Sequence, residues 1–209
     1  MKLSFSDRKW TNYSFGELID AAEGTGVRGI ELHSVKTSAF GKRLDEAGAR
    51  SLKRDLRDRK IEIACIDADQ DAGDVFEAEY NISLAGVLGV PYVRLNVASE
   101  SFDATAEYIE KLIPSAEKAG VVLLIETAGI FADTGVLRDL LNRFASDSLG
   151  ALWDVQYPCM EANETPETTI KNLGAYVKHV HTIKVIQKSC CIVPHCRFCN
   201  TAVTSHFKT

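Results

Sequence analysis

The sequence lacks any apolar run long enough to span a bilayer, and its first ten residues, MKLSFSDRKW, lack the apolar segment of a secretory signal. It also lacks a surplus of positive charge, because its formal net charge is −5. Binding to a phosphate backbone through counterion release needs a basic face. We therefore expect a cytoplasmic protein whose partners include neither a membrane nor a nucleic acid.

Two nucleotide-binding motifs are absent as well. The dinucleotide fingerprint G-x-G-x-x-G does not follow the first strand-like segment, and Gly24 and Gly26 close a helical segment instead of opening one. The sequence also contains no P-loop. These absences argue against an open dinucleotide-binding sheet and against a P-loop nucleotidase.

Strand-like and helix-like patterns alternate along a chain of 209 residues, of which 45% are hydrophobic, enough for one domain with a large core. The predicted strands are Lys2–Ser6, Gly29–Leu32, Ile61–Ile66, Pro91–Asn96, Val121–Glu126, Leu149–Asp154 and Val177–Ile183. The predicted helices are Ser14–Thr25, Ala47–Arg59, Phe76–Leu88, Asp103–Ala119, Asp133–Phe144 and Thr165–Leu173. The alternation predicts an α/β fold with a parallel sheet.

From the second strand onward, a polar residue recurs at or next to each predicted strand end at intervals of 27 to 36 residues, which is about the length of one strand-loop-helix-loop unit. These residues are Glu31, Asp67, Asn96, Glu126, Asp154 and His181. Seven such units favour a TIM (β/α)8-type barrel over an open sheet. A complete barrel usually needs about 250 residues, and the repeat fails after Lys184. We therefore predict an incomplete barrel over residues 1–184, with about seven βα units and no strand eight.

Residues 185–209 form a cysteine-rich tail that shows no helical period. One interpretation is that this tail is non-native or disordered. The other is a small zinc site, for which the tail offers these candidate ligands: Cys190, Cys191, His195, Cys196, Cys199 and His206. Its single C-x-x-C spacing is weak support, because structural zinc sites normally have two well-spaced pairs.

Three predicted strands end in, or close to, a residue that binds metals well. Glu126 follows VVLLI, Asp154 follows LGALW, and His181 follows VKHV, at intervals of 28 and 27 residues. Because parallel strands deliver their carboxyl ends to one edge, we expect these three side chains to meet there. Two carboxylates and an imidazole are suited to a divalent cation.

Further polar residues lie near the same predicted edge and could bind substrate hydroxyls or a phosphate. These are Glu31, His33, Asp67, Arg94, Asn96, Tyr157 and Lys184. For each one taken singly, the alternative is that it caps a loop or forms a salt bridge at the edge. His179 lies on the same strand face as His181 and is the weaker candidate ligand.

The segments GVRGIELHS, YVRLNV, LLIETAG, ALWDVQYP and HVHTIK together resemble the sugar phosphate isomerase/epimerase family of xylose isomerase-like barrels. The resemblance covers residues 1–184. It implies a divalent metal (manganese, magnesium, cobalt or zinc) held by Glu126, Asp154, His181 and a final glutamate on the missing strand eight. It also implies a small sugar or sugar phosphate as substrate, with a homo-oligomer among the candidate assemblies.

In the epimerases of this family, two glutamates move a proton on opposite faces of the carbon next to a carbonyl, through an enediolate. The resemblance makes Glu126 one catalytic acid/base, and the second is missing here. Two positions depart from the family pattern: Tyr157 stands where a histidine is common, and Val185 where an aspartate is usual. We expect weak or no activity from this chain.

Three alternatives accompany this interpretation. A cyclitol or inosose dehydratase would use the same metal site. An endonuclease IV-like nuclease is disfavoured because only five histidines are present and the net charge is negative. A non-catalytic barrel fragment would expose two unpaired strand edges that seek a partner strand.

Overall fold

A computed structural model of the chain describes residues 2–10, 13–33, 43–67, 73–97 and 100–182. Seven parallel strands form one sheet in which each strand pairs with its neighbours in chain order. The strands are β1 (Ser4–Ser6), β2 (Gly29–His33), β3 (Glu62–Asp67), β4 (Tyr92–Leu95), β5 (Val122–Glu126), β6 (Leu149–Asp154) and β7 (Val177–His181). The seven predicted strands are all present, with ends that differ by a few residues.

The helices that connect these strands also agree with the prediction. They are α1 (Phe15–Thr25), α2 (Glu46–Asp58), α3 (Val75–Leu88), α4 (Phe102–Ala119), α5 (Thr134–Phe144), α6 (Tyr157–Glu161) and α7 (Pro166–Leu173). Short 3-10 turns cover Asp7–Lys9 and Gly129–Ala132. Helix α6 was not predicted, since a proline early in so short a segment is equally typical of a turn.

Local sequence signals fix the ends of several helices. Ser14 and Glu17 form a capping box at the start of α1, so each side chain accepts the other residue's backbone N–H. Gly120 ends α4 in the left-handed region, with φ at 67°, a conformation that costs glycine little. Both features follow from the sequence pattern alone.

The two faces of the sheet are packed differently. On the outer face, buried aliphatic side chains such as Ile30, Val93 and Leu123 pack against the helices in the main hydrophobic core. On the inner face, a much smaller cluster contains Cys65, Leu124 and Leu152. Alternate residues of a strand point to opposite faces, which accounts for both layers. The inner face therefore leaves room for polar groups nearer the carboxyl ends of the strands.

The sheet curls into an incomplete barrel that is open between β1 and β7. Within the residues that the structure describes, no strand pairs with the outer edge of either. A cavity of about 1070 Å³ lies along this opening and is lined by residues of both strands. Lys178 and Val180 of β7 are exposed on the outside of the sheet. The predicted fold, a (β/α)8-type barrel with seven strands and no eighth in the described ranges, is confirmed.

Two further predictions concern membrane-spanning helices and the C-terminal tail. Across the described ranges, every helix is too short or too polar to cross a lipid bilayer. The predicted tail, residues 185–209, lies outside the described residues, and so do its candidate zinc ligands and Lys184. The zinc interpretation and the domain boundary at residue 184 therefore stay predictions.

Candidate active site at the carboxyl ends of the strands

The carboxyl ends of β5, β6 and β7 bring Glu126, Asp154 and His181 together. Each offers a ligand atom, and these atoms all lie within 4.8 Å of one another. Asp154 is in register with His181, and Glu126 with Leu152 on the intervening strand, so the three side chains reach the same inner face. The sequence predicted this meeting, and metal binding by the three residues stays a prediction.

Asp154 is buried, with only 2% of its surface exposed. Its Oδ1 accepts the backbone N–H of Gln156 at 2.8 Å. In the described part of the chain, no lysine or arginine forms an ion pair with it. Burial raises the pKa of Asp154, although the N–H of Gln156 acts in the opposite direction. A buried carboxylate with so little compensation favours a cation beside it.

Glu126 is held by two neighbouring side chains. Its Oε2 lies 3.2 Å from a terminal nitrogen of Arg94, and its Oε1 lies 3.2 Å from Nδ1 of His181. Arg94 is itself buried, and its other terminal nitrogen donates to Asp67 at 2.7 Å. Burial alone would lower the pKa of Arg94, but Asp67 and Glu126 raise it. Arg94 therefore stays charged and links two carboxylates.

The chain of polar contacts that joins Glu126, Arg94 and Asp67 continues from Asp67 to His33 on β2. Nδ1 of His33 lies 2.8 Å from Oδ2 of Asp67, and the backbone N–H of His33 donates to Oδ1 of Asp7 at 2.6 Å. His33, Asp67 and Arg94 thus make contacts with one another at the edge. A role for them in substrate binding stays a prediction.

Glu31 lies on the inner face of β2 and contacts two imidazoles of β7. Its Oε2 is 2.8 Å from Nε2 of His179, and its Oε1 is 2.8 Å from Nε2 of His181. Burial would raise the pKa of Glu31, but the hydrogen bonds from both histidines lower it to about 2. Burial likewise opposes protonation of His181, but Glu126 and Glu31 raise its pKa to about 10.

Of the remaining predicted residues, two are described and one is not. Asn96 is half-buried just beyond β4. Tyr157 begins α6 and lines the same cavity as Glu126 and Asp154. Burial, together with these two carboxylates, raises the pKa of Tyr157. Lys184 lies outside the described residues.

Sequence reasoning missed two contributors to the site. Thr127 follows Glu126 and forms hydrogen bonds to the backbone of Asp154 on the next strand. Asp7 accepts the backbone N–H of His33, although it belongs to a short turn after β1. For Thr127, the one sequence feature that could have indicated a role was a hydroxyl next to a predicted strand end. No feature of the sequence indicated that Asp7 would contact the site.

The chemistry of this donor set fits a divalent metal. Glu126, Asp154 and His181 supply two carboxylates and one imidazole, a mixture that suits manganese, magnesium, cobalt and zinc. Three protein ligands leave positions open for water or substrate, as in catalytic zinc sites. The incompletely compensated charge of Asp154 is the structural feature that most favours a cation there.

Comparison with known protein families identifies one match. The family model described as "Xylose isomerase-like TIM barrel" matches residues 19–185. No curated protein matches the sequence.

Solved structures share the fold. The 3-keto-D-glucoside 4-epimerase from E. coli is similar with a TM-score of 0.72 at 12% identity, over 87% of this chain and 78% of that chain. The IolI protein with a bound zinc atom has a TM-score of 0.67 at 17% identity, over 87% and 72%. The probable 3-DHS dehydratase from Bacillus anthracis has a TM-score of 0.62 at 19% identity, over 87% and 72%. At these identities the similarity establishes a shared fold.

Proposed function

The chain belongs to the xylose isomerase-like TIM barrel family, and we propose that its site performs metal-dependent proton transfer next to a carbonyl of a small sugar or sugar phosphate. The observation that carries the proposal is the meeting of Glu126, Asp154 and His181 at the carboxyl ends of adjacent strands. Catalytic residues of TIM barrels lie at this end. The sugar epimerase with the same fold supports the substrate class.

The metal ligands in this proposal are Glu126, Asp154 and His181, and the metal is manganese, magnesium, cobalt or zinc. A bound divalent cation supplies positive charge that polarises a carbonyl oxygen. Zinc gains support from the IolI protein, whose structure contains a zinc atom. The donor set alone does not select among the four metals.

Glu126 is the proposed acid/base. Its carboxylate would take a proton from the carbon next to the carbonyl and return it, which is general acid–base catalysis. Arg94 fixes one oxygen of this carboxylate and leaves the other directed at the site. The Nε of Arg94 is buried and has no hydrogen-bond partner in the described ranges, so the guanidinium is held through its two terminal nitrogens.

The proposed substrate residues surround this centre. Tyr157 lines the cavity beside Glu126 and Asp154. Of the other predicted substrate residues, His33, Asp67, Arg94 and Asn96 lie at or near the same edge, and Lys184 lies outside the described residues. Glu31 is also at this edge, but both of its carboxylate oxygens are already engaged by histidines. A cavity of about 1070 Å³ is large enough for a small sugar and leaves space for water.

We expect the activity of this chain to be weak. Three ligands hold a metal less firmly than four, and the opening between β1 and β7 admits water to a site where catalysis benefits from its exclusion. Solvent proton exchange is the sensitive assay for such a site. The chain would be incubated with ketoses in deuterium oxide, and incorporation next to the carbonyl would be followed by NMR.

Metal binding is the first test of the proposal. Thermal unfolding would be followed with manganese, magnesium, cobalt and zinc for the unaltered chain and for a Glu126→Gln/Asp154→Asn double variant. A Glu79→Gln/Asp139→Asn double variant, with two exposed helical carboxylates changed, serves as the matched control. The proposal expects a stabilisation that the control keeps and the site variant loses.

Two results would contradict the proposal. Zinc stabilisation retained equally by both double variants would place the metal elsewhere, with the cysteine-rich tail as the next candidate. The absence of any metal response in a folded chain would favour the non-catalytic fragment.

A dehydratase on the same site is the second candidate. The probable 3-DHS dehydratase with the same fold favours it, although only at the level of fold. Dehydration of a keto-cyclitol also begins with removal of a proton next to a carbonyl, so Glu126 would have the same role. Mass spectrometry separates the two candidates, because a dehydratase product has lost one water and an isomerised product has not.

A further inference from the structure

Glu31 spans the opening of the incomplete barrel. It lies on β2, whereas both of its imidazole partners lie on β7, 148 and 150 residues further along the chain. Only 2% of its surface is exposed. In the described ranges, no lysine or arginine forms an ion pair with it. Both carboxylate oxygens are engaged by His179 and His181, which leaves this group poorly placed to bind a substrate hydroxyl.

The two ring nitrogens of His181 face different partners. Nε2 lies 2.8 and 3.0 Å from the two oxygens of Glu31, whereas Nδ1 lies 3.2 Å from Glu126. An ionised carboxylate only accepts hydrogen bonds, so in the metal-free protein both ring nitrogens donate a proton, Nε2 to Glu31 and Nδ1 to Glu126. A metal ligand must give up the proton of the nitrogen that binds the metal. Loss of the Nδ1 proton frees the lone pair that faces the other two proposed ligands, while Nε2–H stays on Glu31.

We propose that Glu31 is a positioning residue of the metal site: it accepts the Nε2–H of His181 and thereby directs Nδ1 toward Glu126 and Asp154. The inference rests on the metal site proposed above and deepens it. Carboxylates that hold the second nitrogen of a metal-binding histidine fix both its tautomer and its ring orientation. His179 shares the carboxylate and keeps it in place.

The same side chains allow a competing arrangement. Glu31, His179 and His181 also offer ligand atoms within 4.8 Å of one another, which could form a second cation site. His181 would then have to bind through Nε2, and Nε2 could no longer donate to Glu31. The two arrangements require opposite tautomers of His181, so they can be distinguished by measurement.

NMR of the unaltered chain tests the inference without any substitution. With ¹⁵N-labelled histidine and zinc bound, ¹H–¹⁵N spectra distinguish a protonated ring nitrogen from a metal-bound one. We expect His181 to show a protonated Nε2 that exchanges slowly with solvent, and a metal-bound Nδ1. Metal-bound Nε2 would overturn the inference.

Cobalt titration calorimetry gives an independent readout in variants. We expect the unaltered chain to bind one equivalent, and Glu31→Gln to bind one equivalent about 10- to 100-fold more weakly. Glu62→Gln is the control, since Glu62 lines the far end of the same cavity and pairs with Lys2. That control should match the unaltered chain.

The possible failures have different signatures. Equal affinity of Glu31→Gln and the unaltered chain would overturn the positioning role while leaving the metal site intact. Binding of two equivalents, with one lost in His179→Gln, would instead make Glu31 a ligand of a second cation. No binding by the folded, unaltered chain would reject the proposed function, and the inference with it.

Discussion

Thr127 and Asp154 form a reciprocal pair of hydrogen bonds between the ends of β5 and β6. The hydroxyl of Thr127 donates to the carbonyl of Asp154 at 3.1 Å, and the backbone N–H of Asp154 donates back to the same hydroxyl at 3.0 Å. Both residues are buried. The pair fixes where β6 ends relative to Glu126, and therefore where two of the proposed metal ligands stand.

Replacing Thr127 with valine should lower the free energy of unfolding by about 1–3 kcal/mol, because it leaves buried backbone groups of Asp154 without a partner. The volume of the side chain is nearly unchanged. Thr127→Ser keeps the hydroxyl and is the control. Urea unfolding measures the stability, and cobalt titration should show weaker binding for the valine variant only. Equal stability of the two variants would contradict the structural role of this pair.

Arg94 provides a second prediction, because it joins the buried carboxylate of Asp67 to the half-buried carboxylate of Glu126. Arg94→Met should lower the free energy of unfolding by about 3–5 kcal/mol at neutral pH, since it removes the permanent positive charge that Asp67 and Glu126 share and leaves each with a histidine partner alone.

The control for Arg94 is Arg50→Met. Arg50 forms an exposed ion pair with Glu46 on α2, so its loss should cost about 0.5 kcal/mol or less. Urea unfolding of both variants at neutral pH provides the comparison. Losses of similar size at the two positions would show that the buried network contributes little to stability.

The strand ends were predictable because the sequence repeats at the length of one βα unit. Glu126 and Asp154 each follow an apolar run, His181 follows the alternating segment VKHV, and parallel strands deliver their ends to one edge. Predicting that the three side chains meet therefore required only the correct assignment of the strands. The capping box of Ser14 and the stop at Gly120 were predictable for a similar reason, since each depends on residues a few positions apart.

The contacts across the barrel could not be predicted in this way. Glu31 and His181 meet because the sheet curls, and nothing local in either segment encodes the distance between β2 and β7. One oxygen of Glu126 contacts Arg94 and the other contacts His181. This arrangement depends on side-chain conformations, which the sequence pattern does not specify. Helix α6 was missed because it has five residues and early proline is also a turn signal.

The protonation of His181 gives a pH prediction for the metal-free protein. Its pKa is raised to about 10 from an ordinary 6.5, so the contacts with Glu31 and Glu126 stabilise the fold fully below pH 6.5. This stabilisation is lost as the pH rises from 6.5 through 10, by up to about 1.4 kcal/mol for each pH unit.

The measurement for His181 is chemical unfolding in the presence of a chelator at several pH values. His181→Gln removes the titrating group and should flatten the decline, so the difference between the two curves isolates the histidine. Parallel curves between pH 6.5 and 10 would contradict the raised pKa.

The open edge of β7 gives the last prediction. The carbonyl of His181 accepts a hydrogen bond from Val155, beyond the end of β6. Neighbouring residues of a parallel strand direct their backbone groups to opposite sides, so the N–H of Val180 points into the opening. Within the described ranges no strand pairs with that edge, and unpaired edges promote association.

We therefore expect concentration-dependent self-association of the chain, and expect Val180→Pro to weaken it by roughly tenfold, the effect of losing about one hydrogen bond. Proline removes the N–H at the edge and leaves the bonds to β6 in place. Val180→Thr keeps the N–H on the same exposed face and is the control. Sedimentation analysis of the three proteins measures the association. Equal association of the proline and threonine variants would show that the chain associates through another surface.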